Sequence, residues 1–465
     1  MRVYITSFFV FLFLVVVAVY VVGCVDYDAE LVIENTAQDD GPLSFAVISD
    51  THFGYSIGGG GVTRVSRALQ HITSHKDLDA LVVVGDLTNN ATRAEYDQFE
   101  QVFRDKSNFI HPVDQFLFML GNHDNCGDKP EWTYQWSLRS FNAGKRYPFH
   151  IYRVIKGYPF ITVSVFSMAN QDVYNPYSGL YAYPDETVEW LEQKMALASM
   201  ECPGKPIFVF THVPPRWTCI GTWAERKNDE AWCMSVLNPV LNKYPQSVVF
   251  AGHTHYPLGD PRSIHQGTDP DSEHQNYYTV INTASTAYCH IPNGVVDAGV
   301  TPASYDQVTE GLIVTELDNG DIEIRRYDTY RNEEIAADNR WILKAPFDGS
   351  QFTYAGYDGK PAPYFDVNSA VNVEVLADAV AVTFPQAVDN DCVFRYSISV
   401  TDAVSGKQVA SASIFSQFYL NSDMPKSLTY MIEGLEQGRE YNLKIKAYDS
   451  YENESNPIFA SFIAS

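Results

Sequence analysis

The arrangement that most limits this chain is a set of five short polar signals, each placed directly behind a short apolar run. Asp50-Thr51-His52, Gly85-Asp86, Gly121-Asn122-His123-Asp124, Thr211-His212 and Gly252-His253-Thr254-His255 follow the runs 44–49, 81–84, 116–120, 207–210 and 248–250. These runs, and a further one at 160–165, are β-rich and bounded by Gly, Asp, Asn or Pro, the pattern of buried strands. Residues 91–104 and 185–200 instead space their apolar residues as helices do. Strands alternating with helices predict an α/β layered domain. In such sheets functional side chains collect just past the carboxyl ends of strands, so five loops distant in sequence can line one pocket.

The side chains of those signals are chemically coherent. Imidazoles with hard oxygen donors suit Zn, Mn, Fe or Ni, and the absence of thiols from the set speaks against copper(I) or iron–sulfur clusters. Taken one at a time, a His is more often a satisfied core residue and an Asp behind a strand more often a helix cap. Their order and common context make a metal site the better reading.

That order (DxH, GD, GNHD, H, GHxH) resembles the calcineurin-like metallophosphoesterase family over residues 43 to about 330. The resemblance implies a layered β-sandwich flanked by helices and a centre of two divalent metal ions. On it, Asp50, His52 and His255 correspond to ligands of one metal, and Asn122, His212 and His253 to ligands of the other. Asp86 corresponds to the bridge between them and His123 to the outer catalytic histidine, with no ligand position missing. Two divalent cations would bring four positive charges against the two carboxylates of Asp50 and Asp86, making the centre locally positive. Such metals lower the pKa of bound water and so supply hydroxide near neutral pH. Gly85-Asp86-Leu87-Thr88-Asn89 lacks the Tyr that purple acid phosphatases place three residues after the Asp. The continuation Asn90-Ala91-Thr92-Arg93-Ala94-Glu95-Tyr96 is instead similar to the class III cyclic-nucleotide phosphodiesterase branch.

A formal charge of -25 repels phosphate backbones and argues against a nucleic-acid partner. The chain opens with Arg2 and an apolar run over 8–22, a length that suits a signal peptide. Val21-Val22-Gly23-Cys24 resembles a bacterial lipobox, which would make Cys24 the lipid-modified first residue; an uncleaved N-terminal anchor is the alternative. Both readings describe an exported, membrane-tethered protein, periplasmic or at the cell surface. Exported thiols can pair, and Cys219 with Cys233 could close one loop.

The expected organisation is a signal peptide (1–23), a polar tether (24–42), a catalytic domain (43–345), a linker (346–362) and a C-terminal domain (363–465). The catalytic domain should end in a hairpin with a type I′ turn at Asp318-Asn319-Gly320. The last segment carries seven short strand signals, which predict a small all-β immunoglobulin-like sandwich. Leu435, Tyr441 and Ala447 resemble the E–F corner of a fibronectin type III module, a domain that could serve as a spacer or dock a protein or glycan. Substrate contacts are less clear. In the loop 214–233, Arg216 could pair with a phosphate and Trp217, Trp223 or Trp232 could stack on an aromatic group, or the loop could simply pack on the domain. Gly58 to Gly61 reads as a flexible loop, and Tyr288, Cys289 and His290 as lining or backing the cleft. The expected activity is metal-dependent hydrolysis of a phosphomonoester or phosphodiester in a small molecule or lipid. A nucleotidase or pyrophosphatase, and a surface binding protein with structural metals, are the alternatives.

Overall fold

The computed structural model describes residues 41–56, 60–126, 130–167, 181–222, 232–267, 276–290, 307–354 and 360–465. Cys24 and the segment before it, Gly58, Gly59 and Trp223 lie outside the described residues.

Two mixed sheets face each other. In the first, β1 (Ser44–Ile48), β2 (Ala80–Val83) and β3 (Phe116–Phe118) run parallel, in the pairing order β1-β2-β3. Later strands extend this sheet antiparallel on the other side of β1. The second contains β4 (Ile151–Ile155), β5 (Tyr158–Val163), β8 (Ile207–Thr211), β9 (Ser247–Ala251), β10 (Ile264–Gln266) and β11 (Thr279–Asn282), with β5, β8, β9 and β11 parallel. A short ribbon, β6 (Phe166–Ser167) with β7 (Tyr181–Ala182), precedes β8. The extension of the first sheet is β12 (Glu310–Glu316), β13 (Ile322–Asp328), β14 (Glu333–Ile335) and β15 (Trp341–Leu343). The inner strands are buried on both faces, which is why their sequences are continuous apolar runs without alternation.

Aromatic rings fill the space between the sheets. Phe45 of β1 meets Phe160 of β5 and Phe208 of β8, each at 4.8 Å between centroids and edge-on, the arrangement ring quadrupoles favour. The helices α1 (Gly60–Thr73) and α2 (Arg93–Arg104) contact each other, and α1 also contacts β12 of the first sheet. Two further helices, α3 (Pro130–Ser137) and α4 (Asp185–Glu201), follow, with α4 against β5 and β8 of the second sheet. A short α5 (Asn238–Leu241) leads into β9. α2 starts with a capping box: the Thr92 hydroxyl accepts from Glu95 N while the Glu95 carboxylate accepts from Thr92 N.

The C-terminal segment forms seven strands in two antiparallel sheets. One pairs β16 (Asn372–Val375), β17 (Ala379–Pro385) and β20 (Ser427–Glu433). The other pairs β19 (Gln408–Phe415), β18 (Val393–Asp402), β21 (Glu440–Asp449) and β22 (Ile458–Ile463). The alternating burial of β17, β18 and β21 places Val382, Ile398 and Ile445 in a core of their own. The Tyr441 hydroxyl accepts from Glu436 N at 3.0 Å and pins the corner before β21. The turn Phe418–Asp423 holds this unit on the first domain: Asp423 pairs with Arg331 at 2.7 Å and Asn421 donates to Asp328 at 2.9 Å.

Three expectations differ from the structure. The loop at 318–320 is not type I′. Gly320 has φ +84° while Asp318 and Asn319 stay in the negative region, and Gly320 N bonds Leu317 O at 2.8 Å. This is a three-residue loop, a type I turn closed by a left-handed glycine. Gly60 and Gly61 open α1, where Gly61 packs closely on Phe53, 3.1 Å from where its Cβ would stand. Cys219 and Cys233 are both buried thiols with no disulfide between them, each held within the folded loop.

Glu310 on β12 is fully buried; its Oε2 accepts from Leu258 N at 2.6 Å and its Oε1 has no partner. Burial, offset in part by that hydrogen bond, pushes its carboxyl up to about 8. The folded chain therefore holds this proton more tightly than the unfolded chain, and the stability it supplies declines as pH rises from the usual carboxylate value through 8. Urea titrations at several pH values are expected to show Glu310→Gln losing less stability over that window than the unsubstituted protein.

Candidate metal centre

Every ligand loop leaves its strand at the carboxyl end. Ile48 pairs with Val83 and Thr211 with Ala251, so the loops depart side by side. Asp50, Asp86 and Asn122 follow the first sheet, and His212 and His253 the second. The paired strands thus turn five separate segments into one buried cluster.

The cluster has two halves that share Asp86. Its Oδ2 lies 3.5 Å from His52 Nε2, and its Oδ1 lies 3.3 Å from His212 Nε2. On the first side, Asp50 Oδ1 is 2.8 Å from His255 Nε2, and the Nε2 atoms of His52 and His255 are 3.3 Å apart. On the second, His212 Nε2 is 2.9 Å from Asn122 Oδ1, and His253 completes a group with Asp86 and His212 whose donor atoms all lie within 4.8 Å. The structure thus brings together Asp50, His52, Asp86, Asn122, His212, His253 and His255.

The donor chemistry calls for a cation. His212 Nδ1 lies 2.8 Å from the Val84 carbonyl and His255 Nδ1 lies 3.0 Å from the Tyr288 carbonyl. A carbonyl only accepts, so each Nδ1 carries a hydrogen, and in a neutral ring the Nε2 lone pair would face inward. Those lone pairs face carboxylate and amide oxygens, acceptors against acceptors, inside a cluster where Asp50 is 0% and Asp86 1% exposed. Two buried carboxylates without countercharge would be strongly destabilising, and positive charge resolves the conflict. The titration of the metal-free chain reflects this demand. Burial alone would raise Asp50, yet His255 and His212 bring it down to about 2. Burial opposes charge on His212 too, but Asp86 and Asp50 lift it to about 9. A proton on His212 then does what a bound metal would do. The site suits two divalent cations, with Asp86 between them.

Glycines and strained backbone explain the motif spelling. A Cβ on Gly121 would overlap Asp86 N and Oδ1; one on Gly252 would overlap Ser49 Oγ and stand 2.7 Å from Asp50 Oδ2. Asp50, His52, Asp86, His253 and His255 all have positive φ, at 52°, 42°, 48°, 70° and 57°. Asp and His tolerate that left-handed region better than most residues, but each such turn carries strain.

His123 stands beside the cluster, its ring edge-on to His52 at 4.6 Å. Its Nδ1 is 2.8 Å from Asn89 O and its backbone N donates to Asp86 Oδ1 at 2.8 Å. The Asn89 carbonyl thus orients the His123 ring. Arg216 is buried, with its guanidinium 3.5 Å from Cys233 O, and Asn276 donates to the carbonyls of Arg216 and Trp217. The rings recorded against the ligands are others: Trp232 lies 5.0 Å from His253, Tyr288 lies 4.6 Å from His255, and His290 lies 5.3 Å from His255.

Sequence reasoning assigned no role to Asp124, Ser49 or Ser285. The Asp124 carboxylate accepts from the backbone of Leu87, Thr88 and Gly121, each at 2.9 Å, and so ties the second and third ligand loops together. Ser49 bonds Asp50 Oδ2 through its hydroxyl, and the Ser285 hydroxyl donates to Asp50 O at 3.1 Å. The adjacency of Asp124 to Asn122-His123 was the one available signal; Ser285 left none.

Residues 43–257 match the Metallophos family, described as calcineurin-like phosphoesterase. Those residues carry a calcineurin-like metallophosphoesterase domain. No curated protein matches the chain. Among solved structures, a purple acid phosphatase from yellow lupin (Lupinus luteus) seeds is similar at 12% identity and a TM-score of 0.40, over 66% of this chain and 54% of that one. The C. elegans twitchin kinase region is similar at 21% identity and a TM-score of 0.17, over 22% of this chain and 17% of that one. The fn3 domain of human collagen alpha-1(XX) chain is similar at 17% identity and a TM-score of 0.17, over 24% and 92%.

Two outcomes are expected of the metallophosphoesterase domain. Gly252→Ala should weaken metal binding by roughly one to two decades in a chelator competition, from an overlap cost of about 1–3 kcal/mol. Because His212 holds its proton up to about 9, metal uptake at pH 7 should release that proton, and affinity should fall as pH falls. Calorimetry in two buffers of different ionisation enthalpy measures the release.

Proposed function

We propose that this protein hydrolyses phosphate mono- or diesters at a dinuclear metal centre. The observation that carries this reading is Asp86, which offers one carboxylate oxygen to each of two buried ligand groups. Asp50, His52 and His255 would hold one ion, and Asn122, His212 and His253 the other. Bound there, divalent metals supply Lewis acidity and a lowered pKa for water. The protein's own residues do the rest. Asp86 is held ionised: burial would raise its carboxyl, but His212 and His123 keep it well below the usual range. The carbonyls of Val84 and Tyr288 fix His212 and His255 with Nε2 inward, as second partners of metal-binding histidines do. His123, oriented by Asn89 O, is left to meet substrate through Nε2, where it would stabilise the phosphoryl oxygens or protonate the leaving group.

The finer reading places the enzyme near the class III cyclic-nucleotide phosphodiesterase branch, with Asn89 in place of Tyr as its support. It also places the chain outside the cytoplasm, tethered through Cys24, and assigns the C-terminal unit to the fibronectin type III type. The three-plus-four strand arrangement and the Tyr441 corner support that last assignment.

Turnover of bis-p-nitrophenyl phosphate and p-nitrophenyl phosphate, with metal content assayed alongside, tests the proposal. Activity should vanish on chelation and return with Mn or Zn, and the preferred ester distinguishes diesterase from monoesterase. Asp86→Ala should lose both metals and all turnover; a variant that kept both would sink the dinuclear assignment. His123→Ala should keep its metals and lose kcat by about 10²–10⁴-fold, the usual contribution of a general acid.

A further inference from the structure

A cavity of about 590 Å³ lies away from the metal centre beside the edge strand β3. Its wall is aromatic: Phe116 packs edge-on between Phe103 at 6.1 Å and Phe141 at 5.9 Å. Ile110, 58% exposed, also lines it. The ionisable groups among its lining residues are Arg104, Lys106 and His111, with no carboxylate. His111 is paired with Asp77 at 3.3 Å, whereas among the described residues neither Arg104 nor Lys106 takes part in an ion pair. In a chain of net charge -25, two cations above an apolar wall, with Asp105 between them engaged by Ser107, form a local exception.

The cavity sits at the amino ends of the strands. Leu78 N bonds Pro112 O at 3.0 Å and Ser44 N bonds Asp79 at 2.7 Å, both where β1, β2 and β3 begin. The metal ligands follow the other ends of the same strands, so this cavity is no part of the hydrolytic cleft. Its volume falls in the usual range of ligand sites, about 300–1,000 Å³, and its mainly apolar lining with few polar groups is characteristic of them.

We propose that this cavity binds a single-chain anionic amphiphile, with the tail against Phe103, Phe116 and Phe141 and the head on Arg104 and Lys106. Burial of the methylenes supplies the affinity, at about 0.8 kcal/mol each. The cations select the sign of the head, because a cationic head on the same tail would meet two like charges. This inference does not depend on the phosphoesterase reading.

The test is calorimetry on the full chain, with laurate, dodecanol and dodecyltrimethylammonium below their aggregation limits. Saturable one-to-one binding of laurate is expected, at least tenfold tighter than the cationic amphiphile. Arg104→Gln with Lys106→Gln should weaken laurate tenfold or more and leave dodecanol unchanged. Ile110→Asp, a change at an exposed position, should abolish binding of both without moving the thermal midpoint. Equal affinity for both head charges, laurate binding undiminished in Ile110→Asp, or no saturable binding would each overturn the proposal.

Discussion

Everything around the centre follows from burying two carboxylates beside inward-facing imidazoles. Asp50 and Asp86 are removed from water at the carboxyl ends of parallel strands, where the interior cannot screen their charge. Backbone carbonyls fix the tautomers of His212 and His255, hydroxyls and amides hold Asp50, and the packing of Gly121 and Gly252 brings the loops close enough to share donors. The two buried carboxylates cost free energy unless positive charge joins the cluster, so the local chemistry and the implied metal content explain one another.

Much of this was legible in the sequence because strand ends and ligand types are local properties. Apolar runs located β1, β2, β8 and β9 to within a residue or two, and the polar signal behind each named the side chains that converge. The seven C-terminal strands were visible for the same reason, through alternation and turns. What stayed hidden depends on direction. Asp124 caps backbone amides from a neighbouring loop, and nothing in Gly121-Asn122-His123-Asp124 says its carboxylate turns toward Leu87 and Thr88. Arg216 was open to two readings, phosphate partner or loop packing, and its burial near the Cys233 carbonyl is a tertiary fact that its sequence context does not carry. The turn at Asp318-Asn319-Gly320 was misread because its composition suits two loop lengths, and the register of β12 with β13 selects the longer.

The C-terminal unit is more closely joined to the centre than a spacer needs to be. His253 and His255 precede a loop in which Arg326 donates to Leu258 O at 3.1 Å and Glu310 accepts from Leu258 N. Phe418 of the C-terminal unit packs on Gly259 of that loop, and the guanidinium of Arg262 lies 5.0 Å over the ring of Phe394. The ligand-bearing segment is therefore gripped from both units.

The left-handed backbone of five ligands has a consequence for how this protein can change. At Asp50, His52, Asp86, His253 and His255, glycine would relieve torsional strain, so the apo fold would gain from the substitutions that destroy the site. Selection for thermal robustness alone, in nature or in a directed-evolution library, would drift toward losing the metals. Only selection that counts turnover retains those residues, and any programme to harden this scaffold has to screen for catalysis in every round.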